Sequence, residues 1–294
     1  MPFVFELNRV TKRFGTATAL ADVSLSIPEQ HVVGLIGLNG SGKTTLLHHL
    51  VGLLLPTEGS CTTLGMEAAS LGPEQLRRIG IVYQENRFLD WMTVQQHLSY
   101  VGSFYRLWDN DRQRRLLDLL ELDLSARVGT LSPGDVQKLG LILAVCHHPE
   151  LLLLDEPVSA LDPIARHRLL EFFLDLLQED HCTIVISSHI LRDIEQVVDW
   201  IVCLDAGRIA VDTGLDDLQE RFSEWIVTSS NGGLPSQFDE GFVCEQHGSS
   251  AQAHLLVRDA TGHLDTFRRK HGAEVSTSPL NLERIFPLLL KGGQ

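Results

Sequence analysis

The stretch Gly37-Leu38-Asn39-Gly40-Ser41-Gly42-Lys43-Thr44 meets the pattern G-x-x-x-x-G-K-[ST] at every fixed position. Glycines let a backbone wrap closely around a chain of phosphates, so that successive N–H groups point inward. A helix starting directly behind them adds its positive N-terminus. In such a loop Lys43 reaches the β- and γ-phosphates and the Thr44 hydroxyl ligates Mg²⁺. The candidate cradle is Gly37, Asn39, Gly40, Ser41, Gly42, Lys43, Thr44 and Thr45. Further along, Leu151-Leu152-Leu153-Leu154-Asp155-Glu156-Pro157 ends an apolar run in two carboxylates. Asp155 is placed to hold Mg²⁺ through water. Glu156 beside it is placed to deprotonate an attacking water. Two acids at a strand end are by themselves often a helix cap; behind a full phosphate loop they complete a nucleotide-hydrolysing site.

These residues need a scaffold that brings residue 43 to residue 155. The run HVVGLIG over 31–37 is nearly continuous, apolar and β-branched, the pattern of a strand buried on both faces. Strands are also expected over 3–10 and 21–27, and a helix over 44–53. Helical texture runs from 93 to about 120 and again over 136–147. A strand at 151–154, a helix at 163–178, a strand at 182–187 and a helix at 190–198 follow. Alternating strands and helices around apolar strands predict a mainly parallel sheet covered by helices, an α/β fold. Near residue 221 the pattern breaks. Residues 228–240, rich in Ser, Gly and Asn, read as a loop. Strands over 241–246 and 253–258, a helix over 264–271 and an amphipathic tail segment then predict a small α+β appendage. The expected domains are 1–220 and 221–294.

Composition narrows the function. Against 24 basic residues stand 38 acidic ones, a formal charge of −14 in 294 residues, which argues against a nucleic-acid binder. Cys61, Cys146, Cys182, Cys203 and Cys244 are scattered singly, without a zinc-type pair or a disulfide framework, as expected of small buried hydrophobes in a reducing cytoplasm. The N-terminal MPFVFELNRV does not read as a signal peptide, and the most apolar run is far too short to cross a bilayer. A membrane role is therefore expected only through a partner. The pairs His48/His49 and His147/His148 sit about 100° apart on a helix and are poorly placed to share an ion.

Four further features accompany the two motifs: Gln84 after the apolar run IVYQ, the pattern Ser132-x-Gly134-x-x-Gln137, Ala160-Leu161-Asp162, and Ser187-Ser188-His189. In this order and spacing, residues 3–220 closely resemble the ATP-binding subunit of ABC transporters. The short interval from Gln84 to Ser132 and the extra C-terminal segment resemble subunits that pair with ABC-2-type exporter permeases. The resemblance implies an ABC-ATPase fold with an N-terminal antiparallel β subdomain and a helical subdomain inserted at about 85–145. It implies ATP and Mg²⁺ as ligands, and a head-to-tail dimer around two ATP, homomeric or with a second ATPase chain. It also implies an integral permease that holds the subunit on the cytoplasmic face of the membrane. By position, Phe14 would stack on adenine, Gln84 would sense Mg²⁺ and face the permease, and His189 would contact the γ-phosphate. Ser132 and Gly134 would grip the γ-phosphate of the opposite subunit, and Asp162 would cross to it. Taken without the resemblance, Phe14 reads equally as an ordinary packed aromatic. The segment Phe88-Leu89-Asp90-Trp91-Met92 reads either as core or as a groove for a permease helix.

Where the family carries Leu-Ser-Gly-Gly-Gln, this chain has Leu131-Ser132-Pro133-Gly134-Asp135. Ser132 and Gly134 retain the hydroxyl and the N–H, while Pro133 loses an N–H. A carboxylate about 6 Å from a phosphate would cost about 2–3 kcal/mol at an effective dielectric of about 20. Asp135 is accordingly expected to point away, toward ribose hydroxyls. The leading expectation is the ATP-hydrolysing motor subunit of an exporter. The alternatives are a non-transport ABC ATPase, an assembly or regulatory factor with slow turnover, and a binder that holds ATP without useful turnover. The appendage is expected either to stabilise the dimer or to bind a regulator.

Overall fold

A computed structural model describes residues 3–229, 233–260 and 262–291, which form two compact units, 1–212 and 213–294. In the first, β1 (Phe3–Phe14) and β2 (Ala17–Pro28) form a hairpin, and β3 (Val32–Gly37) runs into α1 (Lys43–Leu50). Then come β4 (Glu58–Thr63), β5 (Met66–Glu67), α2 (Pro73–Leu76) and β6 (Ile79–Val82). The helices α3 (Val94–Gly102), α4 (Asn110–Leu120) and α5 (Pro133–Val145) follow. Then come β7 (Leu151–Asp155), α6 (Pro163–Asp180), β8 (Thr183–Ser187), α7 (Leu191–Ile194), β9 (Trp200–Asp205) and β10 (Arg208–Gly214), whose last two residues belong to the second unit.

Strands β3, β7 and β8 are buried at every residue, as their largely apolar runs require when both faces are covered. They lie within a six-stranded sheet of order β10-β9-β3-β8-β7-β6, in which β6, β7, β8, β3 and β9 pair in parallel. A second, antiparallel sheet has the order β2-β1-β4-β5. Phe5, Leu7, Val10, Leu20 and Ile27 of that sheet share one core with Val33, Leu35, Leu46, Leu50, Leu153 and Val185. The register sets the site: Leu35 and Asp155 both pair with Ser187, and Val82 pairs with Leu154. The ends of β3, β8 and β7, and the chain leaving β6, therefore emerge at one edge, where open parallel sheets bind ligands.

Several boundaries differ from the sequence expectations. The helix after the glycine loop stops at Leu50, not 53, because Gly52 turns left-handed (φ 69°) against the Ala68 carbonyl. The helical stretch 93–120 is two helices, each with its own cap. Thr93 and Gln96 form a capping box on α3, and Asp109 accepts from the Asp111 and Arg112 amides at the start of α4. The helix expected over 190–198 shortens to Leu191–Ile194. Asp199 hydrogen-bonds both the amide and the carbonyl oxygen of Val32, which fixes the chain in register for β9 directly afterwards. Among the described residues no helix is long and apolar enough to cross a membrane.

The second unit contains α8 (Leu215–Glu220), β11 (Phe222–Ser229), β12 (Val243–Gly248), β13 (Gln252–Arg258), α9 (Leu264–His271), β14 (Ala273–Pro279) and α10 (Leu282–Lys291). Its antiparallel sheet has the order β12-β13-β11-β14. Residues 228 and 229, expected in a loop, extend β11; residues 230–232 of that expected loop lie outside the described residues. Period-two alternation sends Trp225 and Val227 into a core with Leu255, Val257, Phe238 and Phe267. Glu224 alternates with them and accepts hydrogen bonds from both terminal nitrogens of Arg284, at 2.7 and 3.0 Å, while His254 Nδ1 lies 3.1 Å away.

The Arg284 hydrogen bonds, aided by His254, outweigh burial and bring the Glu224 carboxyl from the ordinary 4.5 down to about 2. Because the folded-state value is the lower one, the stabilisation is complete above pH 4.5 and is lost as pH falls toward 2. Denaturant unfolding followed through the Trp225 fluorescence is expected to show the parent losing stability in that window. Glu224→Gln is expected to show a flatter dependence.

Candidate functional site

The glycine loop between β3 and α1 is shaped by its neighbours. Gly42 has φ 110°, and a Cβ there would lie 2.7 Å from the Ala19 carbonyl oxygen and 2.8 Å from Leu20 Cδ2. Gly40 is also left-handed (φ 78°), but the space around it is open. The loop encloses Lys43, which is only 8% exposed. Its Nζ donates to the carbonyl oxygens of Gly37 at 2.9 Å and Leu38 at 3.2 Å. Among the described residues the ammonium has no ion-pair partner, so a buried positive charge is left facing whatever the loop encloses.

Thr44 Oγ1 donates to Asp155 Oδ2 at 2.6 Å, and Ser187 Oγ donates to Asp155 Oδ1 at 2.5 Å. The next residue, Glu156, is left-handed (φ 52°) and 6% exposed. Its amide donates to Ser187 Oγ at 3.0 Å, and its Oε2 lies 2.7 Å from His189 Nδ1. Left-handed backbone at a residue with a Cβ costs about 1–3 kcal/mol and is held only where the surroundings over-determine it. Here Ser187, bonded to both acids, does so, and two adjacent carboxylates are turned to different partners. Ala19, Asn39, Gly40, Gly42, Lys43, Thr44, Thr45, Gln84, Asp155 and Glu156 line one cavity of 270 Å³. A hydroxyl, a carboxylate and an amide on its wall form the all-oxygen set that suits a hard divalent cation.

The remaining expected residues stand around this cavity or away from it. Ser41 is buried, with its hydroxyl unpartnered. Phe14 is 49% exposed, so it is not a packed core aromatic, and Lys12 Nζ sits 5.1 Å over its ring. Ser132, Gly134 and Asp162 do not line the cavity. Gly134 backs onto the Ala160 carbonyl oxygen, 2.8 Å from where a Cβ would stand, which fixes the Ser132–Gly134 turn against the Ala160-Leu161-Asp162 stretch. Asp162 caps α6 through the Ile164 and Ala165 amides. In the segment 88–92, Met92 is buried, whereas Trp91 is 68% exposed.

Asp135 is engaged by two neighbours on the same turn and helix. Its Oδ2 accepts from Ser132 Oγ at 2.7 Å and its Oδ1 from Lys138 Nζ at 2.9 Å. Burial opposes its charged form, yet the bonds from Ser132 and Lys138 outweigh burial and hold the carboxyl below its usual range. The charge thus stays at the turn and is compensated one helical turn along α5. Sequence reasoning assigned no role to Lys138, although its i,i+3 spacing from Asp135 on a helix was a usable signal. The bonds Ser187 makes to both acids depend on strand register and left no local mark.

Gly42→Ala is expected to destabilise the first unit by at least about 2 kcal/mol, since it adds a carbonyl clash to left-handed strain, whereas Gly40→Ala costs about 1–2 kcal/mol for strain alone. Denaturant titration of both variants checks the order. Equal losses would mean that the Ala19 contact does not hold the loop.

Comparison with known proteins identifies the family. Residues 20–159 match the family model described as ABC transporter. The chain is 34% identical over 232 residues to the uncharacterized ABC transporter ATP-binding protein YxlF of Bacillus subtilis, covering 77% of this chain and 76% of that one. It is 28% identical to the bacitracin transport ATP-binding protein BcrA of Enterococcus faecalis, over 100% of this chain and 98% of the other. Among solved structures, the dimeric ATP-binding cassette MJ0796 bound to ADP and phosphate superposes with a TM-score of 0.64 at 26% identity, covering 72% of this chain and 98% of that one. With its ABC-ATPase fold and its glycine loop sharing a cavity with Asp155 and Glu156, this chain belongs to the ATP-hydrolysing, ATP-binding subunits of ABC transporters.

Proposed function

We propose that two copies of this subunit close head-to-tail around two ATP with Mg²⁺, and that their closing and reopening drives a separate ABC-2-type permease in export. The observation that carries the reading is the convergence of Lys43, Thr44, Gln84, Asp155 and Glu156 on one cavity, with Glu156 held against His189. Lys43 and the glycine loop bind the β- and γ-phosphates, and the exposed face of Phe14 takes the adenine. Thr44, Asp155 and Gln84 would hold Mg²⁺, which when bound offsets charge on the phosphate oxygens. Glu156 accepts the proton of a water whose oxygen bonds to the γ-phosphorus as the bond to the β-phosphate oxygen breaks, leaving ADP and phosphate. His189 orients Glu156 and faces the γ-phosphate. Ser132, Gly134 and Asp162 complete the site of the opposite copy.

Transport is supported by the end-to-end match to BcrA, which includes the C-terminal unit. We read that unit as an accessory domain to the ATPase unit, and the subunit as peripheral on the cytoplasmic face of the membrane. Beside Gln84 a cavity of 550 Å³ has Leu53, Leu54 and Tyr83 on one part of its wall and His48, Glu85, Arg87 and the site residues Thr44 and Asp155 on the rest, and its apolar part offers a seat for a permease helix, with the exposed Trp91 in the segment that follows Gln84.

Glu156→Gln is expected to sediment as a dimer with Mg-ATP and as a monomer without it, and adding Ser132→Arg is expected to abolish the dimer. A Glu156→Gln chain that stays monomeric at saturating ATP would sink the head-to-tail reading. Lys138→Ala exposes the Asp135 charge to the opposite nucleotide and is expected to lower phosphate release by about tenfold, roughly 1.4 kcal/mol in the barrier. Adding Asp135→Gln is expected to restore the rate.

A further inference from the structure

Gln84 and the Ser132–Gly134 turn lie on different elements, and a contact between a half-buried and a buried side-chain amide joins those elements. Gly80 of β6 has no side chain, and a Cβ there would stand 2.2 Å from the Ala144 carbonyl oxygen, so α5 packs directly on β6. The chain leaving β6 is then closed into a small ring by Asn86. Its Oδ1 accepts from the Tyr83 amide at 3.2 Å, and its Nδ2 donates to the Tyr83 carbonyl oxygen at 2.9 Å. Gln84 lies inside that ring. The same Nδ2 donates to Gln137 Oε1 on α5 at 3.1 Å. Gly140, one turn further along α5, leaves room for the contact, since a Cβ there would be 3.1 Å from Asn86 Nδ2.

Stability alone does not account for Gln137. It is 4% exposed, and its Nε2 has no hydrogen-bond partner among the described residues. Turning the amide over would set Nε2 against the Asn86 donor, so the orientation is dictated by the Asn86 bond. A buried donor without a partner is unfavourable, and leucine would fill the same space without one.

We propose that the Asn86–Gln137 amide contact is the positioning link that sets α5, and with it the Ser132–Gly134 turn, according to what Gln84 meets in its own nucleotide site. Gln137 stands three residues, about one turn, beyond Gly134 on α5. Displacement of the ring around Gln84 therefore moves the start of the helix that carries the turn. Asn86 and Gln137 are positioning residues, and neither touches nucleotide. The proposal rests on the reading above that the turn of one copy completes the site of the other.

The test uses the full chain carrying Glu156→Gln. Three quantities are measured: the dimer dissociation constant in saturating Mg-ATP, the affinity of the monomer for a fluorescent ATP analogue, and the thermal midpoint. Asn86→Ala and Gln137→Leu are each expected to weaken the dimer about tenfold or more, with analogue affinity held within about twofold. The double variant is expected to be no weaker than either single one, as for two residues of one link. Gln137→Leu is expected to keep or raise the midpoint, which separates positioning from a structural role. A Gln137→Leu chain that dimerises as tightly as its parent overturns the proposal, as does one whose dimer and midpoint fall together. If the Glu156→Gln parent itself fails to dimerise, the reading of the turn falls and the proposed link falls with it.

Discussion

Asp155 accepts hydrogen bonds from Ser187 Oγ and Thr44 Oγ1, so one carboxylate, 4% exposed, ties the end of β7 to the end of β8 and to the first turn of α1. Taking that charge out of water is unfavourable unless it is well hydrogen-bonded, and both oxygens are. The rest of the site follows from this anchor. With Ser187 fixed, the Glu156 amide has its partner, and the backbone can take the left-handed turn that sends the second carboxylate toward His189. With Thr44 fixed, α1 begins at the point where Lys43 is drawn under the loop.

The parallel sheet supplies the geometry in which this is possible. Apart from Thr183 at the start of β8, the central strands are apolar until their last residues, and register gathers Asp155 and Ser187 at one edge. The glycine loop adds the opposite sign of charge. Lys43 is satisfied by two carbonyl oxygens, which bind its protons without neutralising it. A buried, solvated-by-backbone cation beside two carboxylates is an arrangement poised for a polyanion together with a divalent cation, and less comfortable without them.

Away from the cavity, the substituted turn shows how a local change in charge is absorbed. An aspartate at residue 135 would repel phosphate, but it is bonded to the Ser132 hydroxyl and paired with Lys138. Pro133 fits because the first helical position needs no amide donor. The turn is thus an electrically balanced variant, and the serine is held rather than displaced. The histidine pairs illustrate the same economy. His147 lies within reach of the backbone oxygens of Leu143 and Ile79, and burial lowers its pKa to about 4. Its neighbour His148 sits between Asp109 and Asp180.

Much of the chemistry was legible in the amino-acid sequence because its determinants are local. A phosphate loop needs its glycines, lysine and threonine at fixed spacing, and strands buried on both faces must be mainly apolar, as β3, β7 and β8 are between their polar ends. Composition and order likewise pointed to the family and to an α/β core followed by α+β structure. Tertiary structure decided what depends on partners distant in the chain. The interruption between α3 and α4 and the early end of α7 follow from caps and strand register, and the last two residues of β11 were recruited from an apparent loop by pairing with β13 and β14. The roles of Ser187 and Asn86 were hidden for the same reason, whereas Lys138 had its i,i+3 spacing from Asp135 as a local signal. A serine and an asparagine have no distinctive spacing of their own, and their chemistry appears only when folding brings a carboxylate or an amide within about 3 Å.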